Sequence, residues 1–258
     1  MKEYEHQPVI EAVFELFAAT SEPSDSDDEA TVTSWGRDSL ERIAPQFPEY
    51  MHHEETLTDF RFAIRVADGS LKRSPSEPQT RIRRWNESRD KAVQFGPHMC
   101  AYNVLGSAYR HFEDESNRET IRRVIRAYLD EAKPKALGWI GQRYINEINV
   151  PIDDVDVRSY FQIYPELPNR LDGHRPMALQ IQILELRNGQ VTVNLKSVGT
   201  DDRHAKYILD IYARSSENLP IDADALLNWQ VDAHKGVSEA FELSVSQRSK
   251  TELFKEIV

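Results

Sequence analysis

The chain has 258 residues, of which 40% are hydrophobic and 29% are charged, a balance typical of a globular protein and not of a disordered one. Its formal net charge is -11, so the surface as a whole repels nucleic acids and anionic membranes. A single cysteine, Cys100, excludes a disulfide framework and a zinc site built on several thiolates. No signal peptide and no membrane span are expected, and together with the lone cysteine this predicts a soluble cytoplasmic protein.

The first half of the chain has the pattern of a strand, a helix, three strands and a long helix. Clustered Val and Phe residues predict a strand over residues 8–17, and apolar residues at helical spacing predict a helix over residues 35–47. The three strands are predicted over residues 59–67, 81–86 and 92–105. A Gly96-Pro97 turn breaks the last of them. A continuous apolar stripe predicts a long helix over residues 117–132.

The second half repeats this order. A long strand is predicted over residues 137–150, and a short helix or turn over residues 153–164. Asn188-Gly189 is a strong hairpin signal, and the strands that it connects are predicted over residues 177–186 and 190–198. A last strand over residues 206–213 precedes a long helix over residues 222–246, with Asp222 or Asp224 as its N-cap.

These patterns predict an α+β fold. Its core would be a mainly antiparallel sheet, covered on one face by the two long helices. The shared element order also predicts a duplication, in which a βαβββα half over residues 1–133 is followed by a second such half over residues 134–258. We expect the two halves to form one compact unit.

Four neighbouring residues with metal-binding side chains form the first candidate site, namely His52, His53, Glu54 and Glu55. Neighbouring positions on a strand or a helix point in different directions, so four such side chains do not converge on one ion. A polar connecting turn is therefore the preferred interpretation of this segment.

Two further groups of residues have side chains suited to catalysis or metal binding, but a structural role accounts for each group equally well. His98 and Cys100 share one face of a predicted strand, but a buried core cysteine is preferred to a metal ligand or a nucleophile. Paired carboxylates suit Mg²⁺ and phosphoryl chemistry, although they also mark turns and helix caps. The carboxylates in question belong to Asp153, Asp154, Asp156, Asp201 and Asp202. Turns are preferred here, and neither a metal nor another cofactor is predicted.

A basic segment covers residues 72–91, where seven basic side chains against three acidic ones give a net charge of +4. Further arginines follow on the predicted helix over residues 117–132. Basic strands and an arginine-bearing helix around an aromatic ring suit phosphates and a stacked base. The candidate nucleic-acid-binding residues are Arg81, Arg83, Arg84, Trp85, Arg122 and Arg126. Alternatively, these arginines pair with carboxylates on the same surface or meet an acidic partner protein.

Several short segments, taken in order, resemble the motifs of a known family. The first strand carries Pro8-Val9-Ile10-Glu11-Ala12, the middle strand carries Arg143-Tyr144-Ile145-Asn146-Glu147-Ile148, and the last helix carries His234, Phe241 and Ser244-Val245. A weaker match between them includes Tyr102-Asn103 and Tyr109. Together they resemble a sporadically distributed prokaryotic family of similar length to which no activity is assigned.

The resemblance implies no catalytic residues. Patchy distribution is typical of accessory genes, including those of anti-phage defence. On the middle strand, alternation places Arg143 and Ile145 on one face and Tyr144 and Asn146 on the other. We expect Glu11 on the first strand to be the acidic partner of Arg143, a structural role that is preferred to a ligand site for these residues.

The sequence leaves three functional hypotheses open. The first is a non-enzymatic accessory or interaction protein of a multi-gene prokaryotic system, such as anti-phage defence, with a protein partner or a second copy of itself. The second is a nucleic-acid-binding protein that uses the basic patch in the first half. The third is a metal-dependent enzyme that acts on a nucleotide or phosphoester through Asp153, Asp154 and Asp156.

Overall fold

The computed structural model describes residues 4–19, 35, 37–59, 62–67, 70–75, 79–106, 108–109, 114–152, 157–164, 178–186, 188–216 and 219–257. Its strands are β1 (Val9–Ala18), β2 (His53–Asp59), β3 (Phe62–Ala67), β4 (Ser70–Pro75), β5 (Gln79–Trp85), β6 (Lys91–Gly96), β7 (Met99–Leu105), β8 (Leu137–Pro151), β9 (Ala178–Leu186), β10 (Gly189–Thr200) and β11 (His204–Ser215). Its α-helices are α1 (Arg37–Ile43), α2 (Glu115–Ala132) and α3 (Ala223–Ser244). Within these ranges, no helix has the length and apolar character needed to cross a membrane.

Nine of the strands form one large sheet in the order β2-β5-β6-β7-β1-β8-β11-β10-β9. Every pairing between neighbours in this sheet is antiparallel, and β3 and β4 form a separate antiparallel hairpin. The fold is therefore α+β with a large antiparallel sheet. The two strands that begin the halves of the chain, β1 and β8, lie side by side at its centre, with Val13 opposite Arg143.

The main core lies on one face of the sheet. Ala12, Phe14 and Leu16 of β1 alternate with Glu11, Val13 and Glu15, and the first three are fully buried in a cluster that includes side chains of α2 and α3. The apolar stripe predicted along α2 contributes to this cluster. Its core residues are Ile121, Val124, Ile125 and Tyr128. We call this face the helix side of the sheet.

Helix α3 begins and packs as its sequence predicts. Oδ1 of Asp222 accepts a hydrogen bond from the backbone N–H of Ala225 at 2.8 Å, which caps the first turn. A Cβ at Gly236 would lie 2.8 Å from Cδ2 of Leu186 and 3.2 Å from Cγ2 of Val191. The missing side chain therefore lets the helix approach β9 and β10 closely.

The structure differs from the predicted elements at the polar segment that includes His53, Glu54 and Glu55. These residues open β2 and do not form a connecting turn, so that prediction is wrong. In the register of β2 with β5, Glu54 lies opposite Arg84 and Glu55 opposite Arg83. Cross-strand pairs of opposite charge stabilise a strand that has no apolar alternation of its own. The strand predicted over residues 59–67 is likewise divided, because β2 ends at Asp59 and β3 begins at Phe62.

Candidate functional site

A pocket of about 480 Å³ opens on the helix side of the sheet, between α3, the central strands β8 and β11, and the start of β1. We call it the seam pocket, because it lies beside the pairing of β1 with β8. Most of its wall is apolar, and four aromatic rings contribute to it. These are the rings of Tyr4, Tyr109, Tyr144 and Phe241. A concave, mainly apolar cavity of this size is typical of a small-molecule site.

The floor of the seam pocket is formed by alternate residues of β8. Tyr144 and Asn146 point to the helix side, and they are only 4% and 1% exposed. The hydroxyl of Tyr144 and Nδ1 of His234 on α3 share a hydrogen bond of 2.6 Å. His234 is itself buried, so this bond fixes the Tyr144 ring against α3 in surroundings that exclude water.

The amide of Asn146 has a defined orientation. Its Nδ2 donates to the backbone carbonyls of Leu209, at 3.0 Å, and Tyr144, at 3.4 Å. Since both neighbours accept, the NH₂ group must face them and Oδ1 must face the other way. Within the part of the chain that the structure describes, no donor is bonded to Oδ1. Asn146 lines the seam pocket, so we place its Oδ1 at the surface of the pocket.

One wall of the pocket is held by a network around Glu242 of α3. The hydroxyl of Tyr4 donates to its Oε1 at 2.9 Å, and Nζ of Lys250 lies 2.6 Å from its Oε2. Burial raises the pKa of Tyr4, and the neighbouring Glu242 raises it further, so the hydroxyl remains a donor. The Tyr4 ring packs edge-to-face on Phe241 at 6.1 Å. The network thus fixes both an aromatic ring and a carboxylate at the pocket.

Backbone bonds attach this wall to the C-terminal segment. The N–H of Glu5 donates to the carbonyl of Lys255 at 3.1 Å, and the N–H of His6 donates to that of Phe254 at 3.0 Å. The segment before β1 therefore pairs with residues that follow the π-turn at Ser249–Leu253. Sequence patterns did not predict this contact, because the two segments are separated by almost the whole chain.

Some residues of each main segment of the family resemblance meet at the seam pocket. Pro8 and Val9 come from the start of β1, Tyr144 and Asn146 from β8, and Phe241 from α3. Two further residues of the resemblance lie in the same place, since His234 binds Tyr144 and Tyr109 lines the pocket. Short motifs that lie far apart in the sequence are thus neighbours in space.

The opposite face of the central strands carries a second group, which we call the polar cluster (Glu15, Arg143, Asp210 and Tyr212). Arg143 forms two hydrogen bonds with the carboxylate of Asp210, at 2.8 and 2.7 Å. Tyr212 donates a hydrogen bond to Glu15. Burial raises the pKa of the Glu15 carboxyl more than Tyr212 and Arg143 lower it. Each charged group of the polar cluster thus has a partner within the sheet.

The predicted pair of Glu11 with Arg143 is wrong. The register places Glu11 opposite Ile145 on β8 and Leu105 on β7, and its Oε1 accepts a hydrogen bond from Asn103 at 2.6 Å. Arg143 lies opposite Val13 and turns towards β11, where Asp210 binds it. Which of two alternating glutamates lies near an arginine depends on the strand register, which this sequence alone did not specify.

A glycine allows the polar cluster to span three strands. Gly141 of β8 lies between Glu15 of β1 and Arg214 of β11 in the sheet. A Cβ at this position would lie 2.7 Å from the ring of Tyr212. The ring of Tyr212 therefore crosses β8 over Gly141 and reaches Glu15 on the far side.

The predicted nucleic-acid-binding residues of β5 lie on both faces of the sheet. Arg84 points to the same face as Val93, which lies in the main core, and its guanidinium is 2.9 Å from Glu54. Arg83 lies on the other face, 3.8 Å from Glu55, with its guanidinium 5.5 Å from the centre of the Trp85 ring. Arg81 shares that second face, because strand side chains alternate.

The two helical arginines of the predicted patch lie beside α3. Arg122 pairs with Glu119 on its own helix and lies 3.8 Å from Asp224, and Arg126 lies 3.9 Å from the same Asp224 carboxylate. The structure thus does not assemble the six predicted residues into one surface. Four of them have carboxylate neighbours, as in the alternative interpretation of the basic segment.

Of the candidate metal-binding aspartates, the structure describes only Asp201 and Asp202. Asp153, Asp154 and Asp156 lie outside the described residues. Oδ1 of Asp201 accepts the backbone N–H groups of Arg203 and His204, which lowers its pKa and closes the turn before β11. Among the described residues, no three His, Cys, Asp or Glu side chains are placed to hold a metal ion.

Cys100 lies fully buried in the main core, as predicted from its residue type. Burial raises the pKa of its thiol well above the usual range. The thiol therefore stays protonated, and it packs as a small apolar side chain.

Sequence reasoning missed Tyr4, Glu239 and Glu242 as residues of a site. No periodic signal marked Glu239 and Glu242, because the inward stripe of α3 continues through Val237, Ala240 and Ser244 without them. Comparison with known proteins adds no relative to these observations: no protein-family model matches the chain, and no curated protein matches it. The resemblance described above therefore stays a prediction.

Proposed function

We propose that the protein is a non-enzymatic accessory protein of a multi-gene prokaryotic system, such as anti-phage defence, and that it acts by binding a ligand in the seam pocket. One observation carries the proposal: the segments that resemble a single family converge on this pocket from β1, β8 and α3. A concave, mainly apolar pocket of this size is the usual place at which a protein binds a small ligand.

The chemistry of the pocket supports binding more than catalysis. Nδ1 of His234 shares a hydrogen bond with Tyr144. The carboxylate of Glu242 accepts a hydrogen bond from Tyr4 and forms an ion pair with Lys250. Groups held in this way give a site a fixed shape, which favours selective binding. The one thiol of the chain, at Cys100, is buried with a raised pKa, which disfavours a role as a nucleophile.

We infer further that the chain arose by duplication, with halves over residues 1–133 and 134–258. The strand order β1-β7-β6-β5 in the first half corresponds to β8-β11-β10-β9 in the second. In each half a long helix, α2 or α3, follows the last strand, and both helices contribute to the core on the helix side. In this interpretation the seam pocket lies between two related halves.

The proposal is tested by purifying the tagged protein from its native host and identifying by mass spectrometry what it retains. We expect stoichiometric protein partners that survive nuclease treatment. Ser238→Phe adds a ring to the pocket wall and excludes the ligand. Because we propose that the bound ligand is needed for partner binding, we expect this variant to reduce partner retention at least fivefold. Asn228→Phe adds the same ring at an exposed position of α3 and serves as its control.

Three outcomes would contradict the proposal. Recovery of the chain alone would argue against an accessory role, and retention of nucleic acid without a protein would favour the basic patch. Equal loss of the partner with both phenylalanine variants would show that the seam pocket is not involved. A circular-dichroism melt of each variant establishes that it is folded before the comparison is made.

A further inference from the structure

The lining of the seam pocket is one-sided in charge. Among the described residues that form it, two are glutamates, Glu239 and Glu242, and none is a lysine or an arginine. Lys250 pairs with Glu242 from behind, at 2.6 Å, and also donates to the backbone carbonyl of Glu242 at 3.1 Å. This leaves Glu239 as the charge that is not balanced by an ion pair within the described residues.

The floor of the pocket supplies a hydrogen-bond acceptor, which, like the two carboxylates, favours a ligand that carries a donor or a positive charge. Asn146 is only 1% exposed. Its Oδ1, which we place at the surface of the pocket, is bonded to no donor among the described residues. An amide oxygen accepts hydrogen bonds, so a ligand that carries an N–H donor can bind to it directly.

The aromatic rings in the wall of the pocket also favour a positively charged ligand. Tyr4 packs edge-to-face on Phe241 at 6.1 Å, and Tyr109 packs edge-to-face on Tyr144 at 5.7 Å. Two ring pairs thus contribute to the wall of one cavity of about 480 Å³. Faces of aromatic rings carry negative potential and attract ammonium groups, whereas a carboxylate or phosphate would be repelled by Glu239.

We propose that the seam pocket binds a small organic amine in its cationic form, with an apolar or aromatic body. The body fills the space between the ring pairs, and the ammonium group donates to Oδ1 of Asn146 and lies near the Glu239 carboxylate. This inference rests on the proposed function, because it names the ligand class of the same pocket. A preference for cationic amines distinguishes this pocket from a site for nucleotides or other phosphate-bearing ligands.

Three probes with the same ring and different charge test the proposal by isothermal titration calorimetry. Tryptamine is cationic, 3-methylindole is neutral and indole-3-acetate is anionic. We expect tryptamine to bind at least tenfold more tightly than indole-3-acetate, with 3-methylindole between them. Equal or tighter binding of indole-3-acetate would overturn the proposal, and so would the absence of tryptamine binding at millimolar concentration.

Two matched pairs of variants locate the effect. Asn146→Ala removes the buried acceptor, and Asn149→Ala makes the same change at an exposed position of the same strand. Glu239→Gln removes the charge at the pocket, and Asp232→Asn removes one on the exposed side of the same helix. We expect tryptamine affinity to fall about tenfold in Asn146→Ala and about fivefold in Glu239→Gln, and to change less than twofold in both controls.

The two proposals fail in different ways. If Ser238→Phe abolishes retention of the protein partner but tryptamine does not bind the native protein, the accessory role survives and the amine ligand is wrong. If tryptamine binds in the expected order and Ser238→Phe leaves partner retention unchanged, the ligand class stands and the role of the pocket in partner binding is wrong.

Discussion

The two faces of β8 carry polar groups that are used differently. On one face, Arg143 is bound by Asp210 through two hydrogen bonds, and its neighbour Glu15 is bound by Tyr212. On the other face, Asn146 keeps an acceptor directed at the seam pocket. The charged groups of the polar cluster are bound within the sheet, whereas Oδ1 of Asn146 has no donor among the described residues. The cluster therefore stabilises the sheet, and we propose that the pocket receives a ligand.

The largest effect is expected from Tyr144→Phe at the pocket floor. The change leaves Nδ1 of the buried His234 without its partner, so we expect the free energy of unfolding to fall by about 2 kcal/mol. Urea denaturation measures the loss. Tyr212→Phe makes the same change in the polar cluster, where the side chain is only half-buried, and a smaller loss is expected there. A larger loss in Tyr212→Phe would reverse the comparison.

The next effect is expected from Gly141→Ala. A methyl group at this position would lie 2.7 Å from the Tyr212 ring, so the ring must move and its bond to Glu15 must weaken. We expect a loss of about 1.5 kcal/mol of stability, within the range of typical overpacking substitutions. Amine binding in the seam pocket should be unchanged, because the pocket lies on the other face of β8. Altered binding with unchanged stability would contradict the separation of the two faces.

A smaller loss is expected from Asp210→Ala. Removal of this carboxylate leaves the Arg143 guanidinium without its ion pair. The Arg143 side chain is 42% exposed, so water screens the lost interaction, and we expect a loss of about 1 kcal/mol instead of the 3–5 kcal/mol typical of a fully buried pair. The matched variant Asp232→Ala, on the exposed side of α3, should lose less than half of this in the same urea titration.

The smallest effect is expected from Glu15→Gln, and it depends on pH. Because burial raises the pKa of Glu15 in the folded protein, the folded state binds this proton more tightly than the unfolded state. The contribution of Glu15 to stability is therefore greatest below its unfolded pKa, near pH ~4, and is lost as the pH rises through the raised folded value. The Glu15→Gln variant has no carboxyl group at this position, so it does not lose stability in this way as the pH rises. Its melting temperature relative to the native protein should rise with pH, and a constant difference would contradict the prediction.

Strand alternation was sufficient to predict one part of the site. It placed Tyr144 and Asn146 on the face opposite Arg143, as the structure has them, because side chains on a strand alternate whatever their partners are. The partner of Arg143 was not predictable in this way. Glu11 was expected, but the register of β1, β8 and β11 places Asp210 at the guanidinium instead.

Other features were hidden because they depend on distant partners. β2 opens with charged residues and has the sequence pattern of a turn, but it is a strand because Arg83 and Arg84 of β5 lie opposite its glutamates. The contact of Tyr4 with Glu242 joins residues that are 238 positions apart. Patterns within a short window report local preferences, and the pocket wall is built from contacts outside any such window.

The central position of β1 has a consequence for the synthesis of the chain. β1 is translated well before its two neighbours in the sheet, β7 and β8. Its apolar face must therefore remain without its final partners while the residues between β1 and β8 are translated. Nascent chains that stop before β7 should expose Phe14 and Leu16, which makes this interval the one in which a chaperone is most needed.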